Sequence, residues 1–120
     1  MAIIASHLKG NTSTILVVTL PSMVVDESAG LIRDEVTHRL PNAEGAGLVL
    51  DFSAVELINS IGITCLLQVQ DHCRRLRAGM LLAAVPASIQ LFMKQLKLDR
   101  RFDFSPTIED AVAALDGARG

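Results

Sequence analysis

A chain of 120 residues, half of them hydrophobic, is long enough to bury one compact core and too short for two. With no Trp or Tyr, the core must be built from Leu, Ile, Val, Ala and Met, and the stacking platforms that single-stranded nucleic acid needs are missing; the formal net charge of -2 argues against DNA as a partner. Cys65 and Cys73 would stand about 12 Å apart along one helix, too far for an intramolecular disulfide, so reduced thiols and a cytoplasmic location are expected. No apolar stretch approaches the roughly 18 residues of a membrane span, and "MAIIASHLKG" has neither a basic n-region nor a long apolar h-region.

Along the chain the hydrophobic period alternates between strand-like runs and helix-like stripes, an α/β pattern. Residues 2–8 and 13–20, "STILVVTL", are two predicted strands joined across "KGNT" as a hairpin, and Pro21 ends the second. After Asp26, the residues Ala29, Ile32, Val36 and Leu40 recur at helical spacing, and Pro41 with Gly45 and Gly47 closes that helix. "AGLVLDF", residues 46–52, has the near-continuous apolar run of a central strand covered on both faces.

The stretch "INSIGITCLL", residues 58–67, opens the next helix. With Ser60 as its N-cap, Cys65, Leu66, Val69, Cys73 and Leu76 form one stripe, while Gln68, Asp71, Arg75 and Arg77 lie away from it. Ile63 and Leu67 fall roughly opposite the stripe, so the helix begins apolar all round. Either another element covers that side, or it is a surface kept apolar for a partner. "MLLAAV", residues 80–85, is another buried strand, and Pro86 starts a helix with Ile89, Phe92, Met93 and Leu96 as its stripe. "RRFDF" is a short edge strand, and Thr107 with Asp110 approximates a capping box for a last helix carrying Ile108, Ala111, Val112 and Leu115 before Gly117. The sum is a mixed, mostly parallel sheet of about five strands with about four helices packed on it, residues 1–116 forming one domain and 117–120 a flexible C-terminal tail.

Constellations that would signal an enzyme are missing. His7, His38 and His72 are far apart in sequence, which argues against a metal site, and there is no G-x-S-x-G elbow, phosphate-binding glycine loop or convincing pair of acids. Asp51, at a strand end, suits a turn cap. The basic runs "RRLR" (74–77) and "KLDRR" (97–101) have acids nearby in sequence and suit solvated faces, and the two cysteines suit packing. No cofactor is expected.

Ser60 is the exception. A hydroxyl at a helix N-terminus stands beside free backbone N–H groups and the positive end of the helix dipole, where it can serve as a cap worth about 1 kcal/mol and also as a phosphoacceptor. Gly62, two positions on, removes a side chain from the corner and would let a kinase active site or partner backbone approach.

The stretches "LVLDFSAVELINSIGITCLL" and "GMLLAAVPASIQLFMKQLKLDRRFDFSPTIEDAVAAL" together resemble the STAS domain of bacterial anti-sigma factor antagonists across nearly the whole chain. Val85, Pro86, Ile89, Leu96, Leu98, Phe102, Phe104, Ile108, Glu109 and Ala111 match the family's C-terminal pattern. The resemblance implies that Ser60 is the phosphoacceptor and that Asn59, Ser60, Ile61, Gly62, Ile63 and Leu67, with Val25 and Asp26, meet the partner. That partner is an anti-sigma factor, a serine kinase of GHKL type, whose sequestration frees a sigma factor for transcription. Two departures stand at this corner. Asn59 replaces the acid that precedes the phosphoserine, and Ile61 replaces a second Ser or Thr. A further family acid, in an "LD" step before the first helix, falls at Val25 or, one residue on, at Asp26. The departures keep open a constitutive scaffold module, either in a stressosome-like signalling complex or beside a lipid-transporter ATPase, in which Ser60 only caps. A small enzyme using Asp51, Ser60 and a nucleotide is the third reading. A monomer or weak dimer is expected, with no direct membrane insertion.

Overall fold

The structure is a computed structural model that describes residues 5–9, 14–40 and 46–117. Its elements in chain order are β1 (Ala5–Lys9), β2 (Ile15–Thr19), β3 (Met23–Val24), α1 (Asp26–Arg39), β4 (Gly47–Asp51), β5 (Leu57–Ile58), α2 (Ser60–Arg75), β6 (Gly79–Ala83), α3 (Ala87–Gln95), β7 (Phe104–Ser105) and α4 (Ile108–Gly117). Residues 10–12 of the expected "KGNT" turn, residue 13 of the expected second strand, the helix-closing Pro41 and Gly45, the first residues of the expected N-terminal strand and residues 118–120 of the expected tail lie outside the described residues. Gly47 does not close a helix; it is the first residue of β4.

Five strands form one sheet in the order β1-β2-β4-β6-β7, with β1 antiparallel to β2 and the other pairs parallel. The parallel register carries Val17 onto Val49 and Val49 onto Leu81, aligning β-branched and Leu side chains across the centre. Every residue of β4 is buried, as its unbroken apolar run predicts for a strand with helices on both sides.

The strand alternation sorts the core into two layers. Leu16, Val18, Leu48, Leu50 and Leu82 face one way and pack with Ala29, Ile32 and Val36 of α1, Leu66, Val69 and Cys73 of α2, and Ile89 and Met93 of α3. Ile15, Val17, Val49 and Ala83 face the other way and meet α4 through Ala111, with Ile108, Val112 and Leu115 around it. Thr107 opens α4 as expected, its Oγ1 accepting from the Asp110 N–H at 3.0 Å.

Two dipeptides escape the hydrophobic pattern. β3 and β5 pair in parallel as a separate two-stranded sheet, Met23 opposite Leu57 and Val24 opposite Ile58. Each runs directly into a helix, so this small sheet sets the N-termini of α1 and α2 side by side, and the two helices then pack along each other.

Candidate functional site

The corner where β5 becomes α2 is organised by Asn59. Its backbone is extended, and its Oδ1 accepts the Gly62 N–H at 2.9 Å, making Asn59, and not Ser60, the N-cap of α2. The other end of the same amide donates from Nδ2 to Asp26 Oδ1 at 3.1 Å, so one side chain caps α2 and ties it to the first residue of α1. The carboxylate that meets this corner is thus that of Asp26, one residue after Val25. Asp26 has φ 43, in the left-handed region that a non-glycine residue occupies at a cost. Next to it, the half-buried Val25 caps α1 with its backbone: its N–H donates to Ser28 Oγ at 3.0 Å, and that hydroxyl in turn lies 2.7 Å from the Met23 carbonyl.

Because Asn59 supplies the cap, Ser60 is freed from that role. It is the first helical residue of α2 and is exposed, and among the described residues its hydroxyl has no hydrogen-bond partner; only its carbonyl is engaged, by Thr64 Oγ1 at 2.9 Å. The first turn of α2 carries no acid, so the positive end of the helix is not neutralised from within. An anion attached at Ser60 Oγ would stand at that end.

The apolar surface of the corner differs from the expected one. Ile63 is 6 % exposed and belongs to the core, and Leu67 is half-buried against it. Ile63 joins the core, and α1 packs along α2 with Arg33 and Thr37 beside Leu67, so the expectation of an exposed Ile63 and Leu67 is corrected. Gly62 is corrected in the same sense. It is buried, and a Cβ on it would lie 2.2 Å from the Val24 carbonyl oxygen and 2.7 Å from Ile58 Cγ1, so the missing side chain admits the chain's own β3. The exposed apolar groups are Ile61 at 48 %, Met23 at 49 % and Leu57 at 48 %. Met23 and Leu57 are opposite each other in the small sheet, pointing outward while Val24 and Ile58 point in, and Ile61 follows in the first turn of α2. Sequence reasoning passed over Met23 and Leu57, since a two-residue strand offers a single alternation and no period.

Elsewhere the chemistry-bearing residues have structural roles. Asp51 is buried and its Oδ1 accepts the Ser53 N–H at 2.9 Å, the turn cap anticipated for it. Cys65 and Cys73 are free and buried, and burial pushes the Cys73 thiol up to about 12. Among the described residues no three His, Cys, Asp or Glu side chains gather where a metal could bind, and no helix is long and apolar enough to cross a membrane.

The architecture recurs in known structures. The anti-sigma-factor antagonist (STAS) domain protein of Planctomyces limnophilus superposes with a TM-score of 0.81 at 16 % identity, covering 96 % of this chain and 98 % of that one. The anti-sigma factor antagonist SpoIIAA in its unphosphorylated form gives 0.74 at 14 % identity over 94 % and 97 % of the two chains. A chain of the stressosome, a signal integration and transduction hub, gives 0.75 at 21 % identity over 93 % and 96 %. Comparison with curated proteins finds no match. The family model of the STAS domain matches residues 8–111, spanning both the sheet and the Asn59–Ser60 corner, and this chain belongs to the STAS domain family.

Proposed function

We propose that this chain is an anti-sigma factor antagonist, a binding module without turnover, that docks a GHKL-type anti-sigma kinase in the cytoplasm through the α2 corner and so releases a sigma factor. Phosphorylation of Ser60 ends the docking. The observation that carries this reading is the exposed, unengaged Ser60 hydroxyl, set at the helix N-terminus by the Asn59 cap and accompanied by the exposed side chains of Met23, Leu57 and Ile61. A surface of this kind binds by losing its water. A phosphate brings about -1.5 to -2 charges whose hydration must be stripped on docking, which opposes the complex by several kcal/mol.

The test is the affinity of wild type, Ser60→Glu and Ile61→Asp for a candidate anti-sigma kinase. Ser60→Glu should weaken binding at least about tenfold, which is about 1.4 kcal/mol. Equal affinities would remove the switch. Ile61→Asp should weaken binding while leaving Tm at the wild-type value, because Ile61 is outside the core, whereas Ile63→Asp should unfold the domain. An Ile63→Asp variant that melts like wild type would sink the core assignment.

One observation favours a second reading, a constitutive contact within a signalling or transporter complex. The residue before Ser60 is a neutral Asn whose amide is spent on capping and on Asp26, so it offers no carboxylate to orient a metal ion or the serine hydroxyl. Intact mass after incubation with ATP and the partner separates the readings. A gain of one phosphate, located at Ser60, supports the switch; binding that persists with no gain of mass supports the permanent contact.

A further inference from the structure

The opposite end of α2 carries a second feature that the docking corner does not use. The C-terminal half of that helix, the start of β6 and residues 100–103 enclose a cavity of about 380 Å³. Cys73, on its wall, lies thirteen residues beyond Ser60, about 20 Å along the helix.

The sheet explains why the cavity exists. β7 pairs with β6 only at Leu82 and Ala83, whereas β6 begins at Gly79, so the first part of β6 has no strand neighbour on that side. The Leu82 N–H reaches the Asp103 carbonyl at 2.9 Å and the Ala84 N–H reaches the Ser105 carbonyl at 3.0 Å. Strand alternation aims the Met80 N–H the same way, into the gap where β7 has stopped.

Three arginines are among the residues lining this gap: Arg74 from α2, and Arg100 and Arg101 from the segment before β7. Among the described residues the ion pairs fall elsewhere, at Arg33–Asp34, Arg39–Glu35 and Arg75–Asp71, and none involves these three arginines. Asp103 is the single acid in the lining. Cys73, Met80, Leu82 and Phe102 contribute apolar walls, and Gln70 Nε2 donates to the Arg101 carbonyl, tying the arginine-bearing segment to α2.

We propose that this cavity binds a small phosphate-bearing anion. Its volume is in the range of small-molecule sites, its excess of positive charge stands out in a chain of net charge -2, and guanidinium forks with an edge N–H match phosphate oxygens in geometry as well as in charge. In this reading the basic "KLDRR" run supplies Arg100 and Arg101 to the same cavity lining as Arg74.

Calorimetric titration with inorganic pyrophosphate, alongside citrate as a carboxylate of comparable charge, tests the site, with amide NMR shifts locating it. Saturable pyrophosphate binding is expected, with shifts at Met80 and Phe102 and weak or absent citrate binding. Arg100→Gln combined with Arg101→Gln should weaken it at least about tenfold. Should that pair fail to fold, Arg74→Gln takes its place, and Arg77→Gln, outside the cavity, should change nothing. The proposal is overturned by the absence of saturable heat, by an equal loss in Arg77→Gln, by citrate binding as tightly, or by shifts centred on Ser60 and Ile63. None of these outcomes bears on partner docking at the α2 corner, so the two readings fail separately.

Discussion

Replacing Gly62 by Ala asks whether the corner's missing side chain serves the fold or a partner. In an exposed helix the change would stabilise by up to about 1 kcal/mol, because alanine loses less backbone entropy than glycine. Here the added methyl would stand 2.2 Å from the Val24 carbonyl oxygen and 2.7 Å from Ile58 Cγ1. The Ile58 side chain can turn aside, but the Val24 oxygen belongs to the backbone of β3 and is fixed by pairing with β5. To relieve the clash, β3 must retreat by the better part of an ångström, or α2 must tilt and stretch the Asn59 cap at its own first turn. Overpacking of this kind costs about 1–3 kcal/mol, and a weakened cap adds to it, so the net loss should be about 2 kcal/mol after the helix-propensity gain. For a chain of this length that corresponds to a fall in Tm of about 8 °C. Thermal unfolding followed by circular dichroism, together with partner affinity, measures both sides of the question. A Gly62→Ala variant that melts with wild type yet loses partner binding would refute the packing argument and return the glycine to the interface.

Asn59→Ala should cost about 1–2 kcal/mol in chemical denaturation, since it removes both the cap on the Gly62 N–H and the bridge to Asp26; a loss no greater than that of an exposed surface substitution would show that the amide is not holding α1 and α2 together. Cys73 should resist thiol reagents in the native protein and react once urea unfolds it. The pH dependence follows from the same burial. The unfolded thiol ionises near 9.0 and the folded one only near about 12, so the unfolded chain releases its proton first and stability falls as pH rises above 9.0. Wild type should therefore lose more stability than Cys73→Ala between about pH 8 and about pH 11, and parallel curves would argue against a buried thiol.

The amino-acid sequence by itself determined the layer architecture and the chemical singularity of Ser60. Both are written in near-neighbour patterns: nearly unbroken apolar runs in β2 and β4, 3.6-residue stripes in the helices, and a hydroxyl at the mouth of α2. What only the tertiary structure decided is which side of that mouth faces water. Ile63 and Leu67 look available from the period of α2 alone, yet Ile63 is buried in the core and Leu67 half-buried against it, while β3 and β5, too short to show any period, set α1 alongside α2. The same juxtaposition hands the cap from Ser60 to Asn59, fills the space at Gly62 with the Val24 carbonyl, and leaves Met23, Leu57 and Ile61 outside. Helical spacing reports how one element divides its own surface; which half is buried depends on a second element whose position is set by contacts distant in sequence.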